Sequence, residues 1–193
     1  MEPLPLKVNS RTALLVVDMQ NYFFKDPQRA ALLGPALSLI NQLISAFDQA
    51  GLPVVQVLSA YHEDRSDWDL RMQREGQPSL LRGSQEAALL EGLRASPRHH
   101  RVIKTRYSAF FKTRLAAWLR RRGVERVAVC GAYTHYCVNA TIFDAYAHDF
   151  VPCLVLDAVI SHLPKESAVM IERMRRNGYH LLTSAELASQ LST

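Results

Sequence analysis

Residues 126–138 read Arg-Val-Ala-Val-Cys-Gly-Ala-Tyr-Thr-His-Tyr-Cys-Val. The apolar run to Cys130 meets Gly131 and turns directly into a helical pattern over Val138 to His148, the joint of a strand-to-helix unit. The same grammar repeats on both sides. Upstream, the strand His100 to Ile103 precedes a helix from Thr113 to Arg122, with Leu115, Trp118 and Leu119 on one face and Gly123 as its stop. Downstream, Val151 to Leu156 leads to a helix from Lys165 to Asn177 that ends at Gly178. The strand Tyr179 to Leu182 and a last helix come next, the helix beginning at Ser184, whose Ser-Ala-Glu-Leu offers an N-cap. Nearer the N-terminus, Thr12 to Val17 and Pro53 to Leu58 flank a helix over Ala36 to Ala50. That helix carries Leu37, Ile40, Leu43, Ile44 and Phe47 on one face and is closed by Gly51.

The strand segments are nearly continuous in Val, Leu and Ile, as strands are when both faces of a parallel sheet are covered. The pattern predicts an α/β fold: a three-layer, doubly wound, mainly parallel sheet of about six strands with helices on both faces and right-handed crossovers. Tyr61 to Gly83 breaks the pattern. It is rich in charge and turn formers, has no clear period, and reads as a lid or binding loop.

With 193 residues the chain is expected to form one domain, 1–193. At 48% apolar and 21% charged residues it reads as an ordinary globular protein. No apolar run approaches the ~20 residues of a membrane span. The opening Met-Glu-Pro-Leu-Pro-Leu-Lys-Val-Asn-Ser lacks the parts of a signal peptide, so the expected location is cytoplasmic, with no membrane partner. Cys130, Cys137 and Cys153 make an odd count without a CxxC pair, which argues against a disulfide framework and a zinc site. The net charge of +5 is spread along the chain. Its densest run, Arg120-Arg121-Arg122, closes a helix and suits that helix's negative end. The reading is therefore no nucleic-acid partner, but a basic surface that attracts anionic metabolites.

Ligands of open parallel sheets bind beyond the carboxyl ends of the strands. Asp18 follows the first strand in Leu-Leu-Val-Val-Asp-Met-Gln-Asn, and Lys104 follows the third in Val-Ile-Lys-Thr-Arg-Tyr-Ser-Ala-Phe. Cys137 follows the fourth. A thiol in the first turn of a helix, with a lysine nearby, is expected to be biased toward thiolate. An aspartate can take its proton and later hand it to a leaving group. Backbone N–H groups of the Gly131–Cys137 turn are placed to hold an oxyanion. The chemistry these types support is nucleophilic acyl transfer without a histidine base.

Asp18, Lys104 and the Gly131-x-x-Thr134-x-x-Cys137-Val138 segment resemble the isochorismatase-like cysteine hydrolase superfamily. The resemblance runs from Ala13 to about Leu187 and takes in Asp144-Ala145 and Asp157-Ala158. The superfamily includes nicotinamidases, N-carbamoylsarcosine amidases, ureidoacrylate amidohydrolases and isochorismatases. The resemblance implies Cys137 as nucleophile, Asp18 as general base and Lys104 as its electrostatic partner. It further implies a cis peptide between Ala132 and Tyr133, and an oxyanion hole from the amides of Tyr133 and Cys137. A small-molecule substrate and a homo-dimer or homo-tetramer are also implied. Phe23, Phe24, Tyr107 and Phe110 are candidates for an apolar wall around a planar substrate, though core packing explains some of them equally well. Tyr133 is a candidate to line the pocket with its ring. His135 stays open between a substrate contact and a structural histidine. Arg65 or Arg71 could meet a substrate carboxylate. Asp144, Asp157, Cys130 and Cys153 read as structural, and His99 and His100 as surface.

Nicotinamidase-like members keep an Asp-x-His pair after the second strand to hold a metal. Here those positions carry Ser59 and Tyr61, with His62 one place out of register, so no metal and no other cofactor is expected. Two stretches, from Lys104 and from Gly131, are more similar to isochorismatases, which cleave a vinyl ether by protonation and carry glycine at the place of Cys137. Cys137 favours covalent hydrolysis of a small amide, ureido or lactam C–N bond. The alternatives are a vinyl-ether hydrolase with Asp18 as general acid, and a non-catalytic binding module.

Overall fold

The computed structural model describes residues 11–191; the absence of a signal peptide was read from residues that lie outside this range. Six strands pair in the order β3-β2-β1-β4-β5-β6, every neighbouring pair parallel. They are β1 (Thr12–Val17), β2 (Val54–Ser59), β3 (His100–Lys104), β4 (Arg126–Ala132), β5 (Val151–Ile160) and β6 (His180–Leu182). The doubly wound α/β architecture expected from the pattern is the one observed.

The pleat of β1 divides its side chains between two cores. Leu14 and Val16 face one layer, while Ala13, Leu15 and Val17 face the other. The first layer is supplied by α2 (Gly34–Gln49), through Ile40, Leu43, Ile44 and Phe47, and by Leu187 of α7 (Ser184–Ser189). The second is supplied by α4 (Leu115–Arg121), α5 (Asn139–Ala147) and α6 (Pro164–Arg176), through Leu115, Leu119, Ile142 and Met174. β1 and β2 are buried throughout because they are interior strands. β3 is an edge and alternates, with Val102 and Lys104 inward and Arg101 and Ile103 exposed. The near-continuous apolar reading fails there for that reason.

Other departures are local. α7 is capped by Thr183 rather than Ser184, in a capping box with Glu186. The Ser184 N–H and hydroxyl instead donate to Asp157, each at 2.7 Å, which gives that carboxylate its structural role. His99 is buried, not at the surface: its ring lies 3.1 Å from Asp48 and 3.4 Å from Gln56. His100 stacks on Trp118 with centroids 4.1 Å apart. A 3-10 turn (Asn21–Phe24) and α1 (Pro27–Ala30), capped by Asp26, occupy the stretch after β1.

The segment read as a long loop carries a short helix. It holds α3 (Leu70–Glu75), whose first turn is capped by Asp69 (2.8 Å to the Met72 N–H) and whose end is closed by Gly76 at φ 65°. Trp68 and Met72 pack with Tyr61, Leu80 and Ala87 in a small core of their own. A six-residue helix is too short for a 3.6-residue period to show in sequence. Among the described residues no helix is long and apolar enough to cross a membrane.

The strand order places the topological switch between β1 and β4, where the chain winds away in opposite directions. A crevice opens at their carboxyl ends.

Candidate active site

Every strand from β1 to β4 delivers a group to that crevice. Asp18, one residue past β1, is fully buried and takes φ 50°, a left-handed conformation that a short polar side chain tolerates. Parallel register sets Ser59, the last residue of β2, beside Lys104, the last residue of β3. Near the end of β4, Gly131 (φ 108°) lies so close to β1 that a Cβ there would sit 2.1 Å from the Val17 carbonyl oxygen. This contact, with the register shift between Val129 and Gly131, seats the turn over the site. The Ala132–Tyr133 peptide is cis, as the resemblance implied. The chain then enters a π-helical turn, Thr134–Val138, that carries Cys137.

The polar groups form one network. Lys104 Nζ lies 2.8 Å from Asp18 Oδ2 and donates to Ser59 Oγ at 2.7 Å and to Cys137 Sγ at 3.3 Å. The Ser59 hydroxyl donates to Asp18 Oδ1 at 2.9 Å. Gln20, also fully buried, fixes Ser59 from behind: its amide donates to the Ser59 carbonyl at 2.9 Å and accepts from the Ser59 N–H at 2.8 Å. Lys104 and Asp18 are 1% and 0% exposed, so the pair is held by mutual attraction in a dry setting, where losing either partner costs about 3–5 kcal/mol.

Burial works against the Lys104 ammonium, but Asp18 and Cys137 hold its pKa above the ordinary lysine value. Burial pushes the Cys137 thiol well above its ordinary value; Asp18 adds to the push by charge and as a hydrogen-bond partner, and Lys104 opposes it. The helix start and Lys104 were expected to favour thiolate; Lys104 does act in that direction, while burial and Asp18 act against it. The thiol lies beside a carboxylate placed to take its proton.

Above the thiol lies a cavity of about 330 Å³. Phe23, Tyr107 and Tyr133 line it, as expected, and Tyr22, Tyr61, Tyr136 and His162 add further rings. The Tyr133 hydroxyl donates to the Phe23 carbonyl, tying the turn after β4 to the 3-10 turn after β1. Tyr107 stacks on Tyr136 at the mouth, with centroids 5.4 Å apart. Phe110 is a correction: it is buried in the core against Phe150 (5.8 Å) and His148 (5.3 Å) and does not reach the cavity. Phe24 is likewise core. His135 is also a correction as a substrate contact. It sits one layer behind the lining, its Nδ1 2.9 Å from Ser161 Oγ and its ring stacked on Tyr133. Arg71 lines the cavity, while Arg65 lies over the Trp68 ring, 5.1 Å away.

His62 is exposed, and the Ser59 and Tyr61 hydroxyls are engaged with Asp18 and Asp69. Among the described residues no group of three or more His, Cys, Asp or Glu is placed to hold a metal. Ser59 and Gln20 are the members that strand-end reasoning passed over. Ser59 carried the same signal as Asp18, a polar residue directly after an apolar strand; Gln20 carried none. A larger hollow of about 810 Å³ beside α2 holds none of the strand-end groups.

The isochorismatase domain model matches residues 12–186. A probable inactive nicotinamidase of Arabidopsis thaliana is 30% identical over 192 residues, covering 94% of this chain and 96% of its own. The ureidoacrylate amidohydrolase RutB of Stutzerimonas stutzeri is 29% identical over 180 residues, covering 81% of this chain and 72% of its own. Among solved structures, an isochorismatase family protein from Desulfovibrio vulgaris superposes with a TM-score of 0.85 at 29% identity, over 96% of this chain and 100% of that one. With a family model spanning nearly the whole sheet and its helices, the chain belongs to the isochorismatase family of hydrolases.

Proposed function

We propose that this chain is a metal-independent cysteine hydrolase that cleaves the C–N bond of a small amide, ureido or lactam substrate through a thioester on Cys137. The observation that carries the reading is the Lys104 ammonium within 2.8 Å of Asp18 and 3.3 Å of the Cys137 sulfur, beneath a cavity of substrate size. Asp18 takes the thiol proton as sulfur attacks the carbonyl carbon. The oxyanion forms against the amides of Tyr133 and Cys137, the hole the family resemblance implies. As the C–N bond breaks, Asp18 returns the proton to the departing nitrogen. Asp18 then deprotonates a water that attacks the thioester, the C–S bond breaks, and the proton goes back to sulfur. Amide and water become acid and amine, and the enzyme is unchanged. Lys104 keeps Asp18 in place and compensates negative charge on sulfur, while Ser59 ties the two together. The similarity to a ureidoacrylate amidohydrolase supports C–N chemistry.

Mass spectrometry of the intact protein against amides, ureas and a vinyl ether such as isochorismate tests this. The expected result is an acyl adduct on Cys137 and a loss of about 10⁴-fold or more in Cys137→Ala. Vinyl-ether cleavage that survives Cys137→Ala but not Asp18→Ala would replace thioester chemistry with acid catalysis. A protein that neither acylates nor turns over any of the panel is the binding module.

A further inference from the structure

Cys130, Cys137 and Cys153 are all free and buried, and they differ in what stands next to the sulfur. Cys130 Sγ meets the Leu15 carbonyl at 3.6 Å, and Cys153 Sγ meets the Leu154 carbonyl at 3.8 Å. Cys137 Sγ instead meets the Lys104 Nζ at 3.3 Å. No thiol is paired with another, so an oxidised Cys137 has an amine, not a second sulfur, as its neighbour.

The two atoms meet where sulfur is open on one side only. Cys137 lines the cavity and Lys104 does not. Lys104 is 1% exposed and is anchored by Asp18 at 2.8 Å, Ser59 Oγ at 2.7 Å and the Arg106 carbonyl at 3.2 Å. A small oxidant reaches sulfur from the cavity, while the nitrogen is fixed behind it. Their 3.3 Å separation falls in the range of about 3–3.5 Å at which two atoms are poised to react.

We propose that Cys137 and Lys104 form a modification site, in which hydrogen peroxide links them by a reversible sulfur–nitrogen bond, a sulfenamide, that switches the site off. Asp18 takes the thiol proton as sulfur attacks peroxide. The S–O bond forms, the O–O bond breaks, and the departing hydroxide leaves with that proton as water. Sulfur gives up two electrons and peroxide gains them. The Lys104 ammonium then passes a proton to Asp18, and its nitrogen attacks the sulfenic acid from the side away from the cavity. The S–N bond forms, the S–O bond breaks, and hydroxide leaves as water with a second nitrogen proton. Asp18, left in a dry setting without its cation, keeps the proton it received. Dithiothreitol reverses the link. Its thiol attacks Cys137 sulfur, the nitrogen departs with a proton, and ring closure of the mixed disulfide frees the Cys137 thiol. The link goes beyond the hydrolase reading, and no substrate is needed to see it.

The test is peptide mapping of the full chain after peroxide treatment, with tryptic digestion in the absence of reductant. The expected product is a joined pair of peptides, one holding Cys137 and the other Lys104, lighter by two hydrogens than their sum. Cleavage after Lys104 is lost with it, and dithiothreitol restores both peptides. Lys104→Arg keeps a cation but removes the primary amine. Its Cys137 should run on to sulfinic acid, raising the fraction that dithiothreitol cannot recover by about 10-fold or more. Cys130→Ala should leave the link in place. Cys137 found as sulfenic or sulfinic acid beside a Lys104 that trypsin still cleaves overturns the proposal. An unmodified Cys137, at peroxide levels that oxidise free cysteine in the same tube, overturns it equally. Should Lys104→Arg fail to fold, the map of the unaltered chain decides alone.

Discussion

Cys130 and Cys137 lie on the same strand-to-turn element, and burial pushes both thiols up. Cys130 is 0% exposed inside β4, where its sulfur meets the Leu15 carbonyl at 3.6 Å and no charged group acts on it. Cys137 is almost as buried, yet Lys104 and Asp18 both act on its sulfur. The contrast separates two ideas that are often merged. A low resting pKa is one route to a nucleophile; a proton acceptor at the sulfur and a fixed cation to receive the resulting charge is another. Cys130 has neither, Cys137 has the second, and Gly131 is the joint between the two settings.

That joint is where the largest loss of stability is expected. A methyl group at Gly131 would stand 2.1 Å from the Val17 carbonyl oxygen and 2.7 Å from the Val17 nitrogen, at a φ of 108° that L side chains rarely adopt. Gly131→Ala must push β4 from β1 at the residue before Asp18, moving the carboxylate and the thiol-bearing turn relative to each other. Activity should fall by about 10²-fold or more, and urea unfolding should show a loss beyond about 4 kcal/mol. A variant with wild-type kcat/KM would mean that close strand contact does not set the site.

Asp18→Asn sharpens the contrast by splitting two readouts. Hydrolysis should fall by about 10²- to 10⁴-fold because the proton acceptor is gone. Alkylation of Cys137 should move the other way. Burial and the carboxylate raise the thiol pKa and the ammonium lowers it, so removing the carboxylate leaves burial alone against Lys104. The midpoint of the alkylation rate against pH should drop by about 1 to 3 pH units. Iodoacetamide labelling and peptide mass mapping measure it, with fully buried Cys130 as the unlabelled control for an intact fold. A midpoint that stays put would show that Asp18 does not act on the sulfur.

The parts of this arrangement differ in how plainly the chain announces them. Asp18, Lys104 and Cys137 were legible because a parallel sheet brings the ends of its apolar strands, and the polar residues just past them, to one edge. The same rule covers Ser59, whose hydroxyl bridges the ion pair. Phe110 and His135 were not legible as core and second-layer residues, since an aromatic near a strand end looks alike in sequence whether it packs on Phe150 or on a ligand. Arg71 is set by α3, and that helix is marked only by Asp69 and Gly76 at its two ends. The small core formed by Trp68, Met72 and Leu80 depends on packing that hydrophobic periodicity does not encode.

Cys130→Ala probes the other side of the comparison and should have the smallest effect. Replacing a buried thiol by methyl leaves a small void, costing about 1 kcal/mol in urea unfolding, with kcat/KM unchanged. The pH dependence of that cost carries a sign. In the unfolded chain the Cys130 thiol ionises around its ordinary value of 9.0, while in the fold burial holds the proton on. As pH climbs past about 9 the unfolded state loses a proton that the folded state keeps, so stability falls with pH. Cys153, pushed up to about 12 mainly by burial, adds a slope of the same sign. Cys130→Ala removes its share. The destabilisation measured at neutral pH should therefore shrink as the pH is raised, and the two stability curves should converge or cross in the alkaline range. Parallel curves would mean that the Cys130 thiol ionises as freely in the fold as in the unfolded chain, and the distinction drawn between the two cysteines would lose its basis.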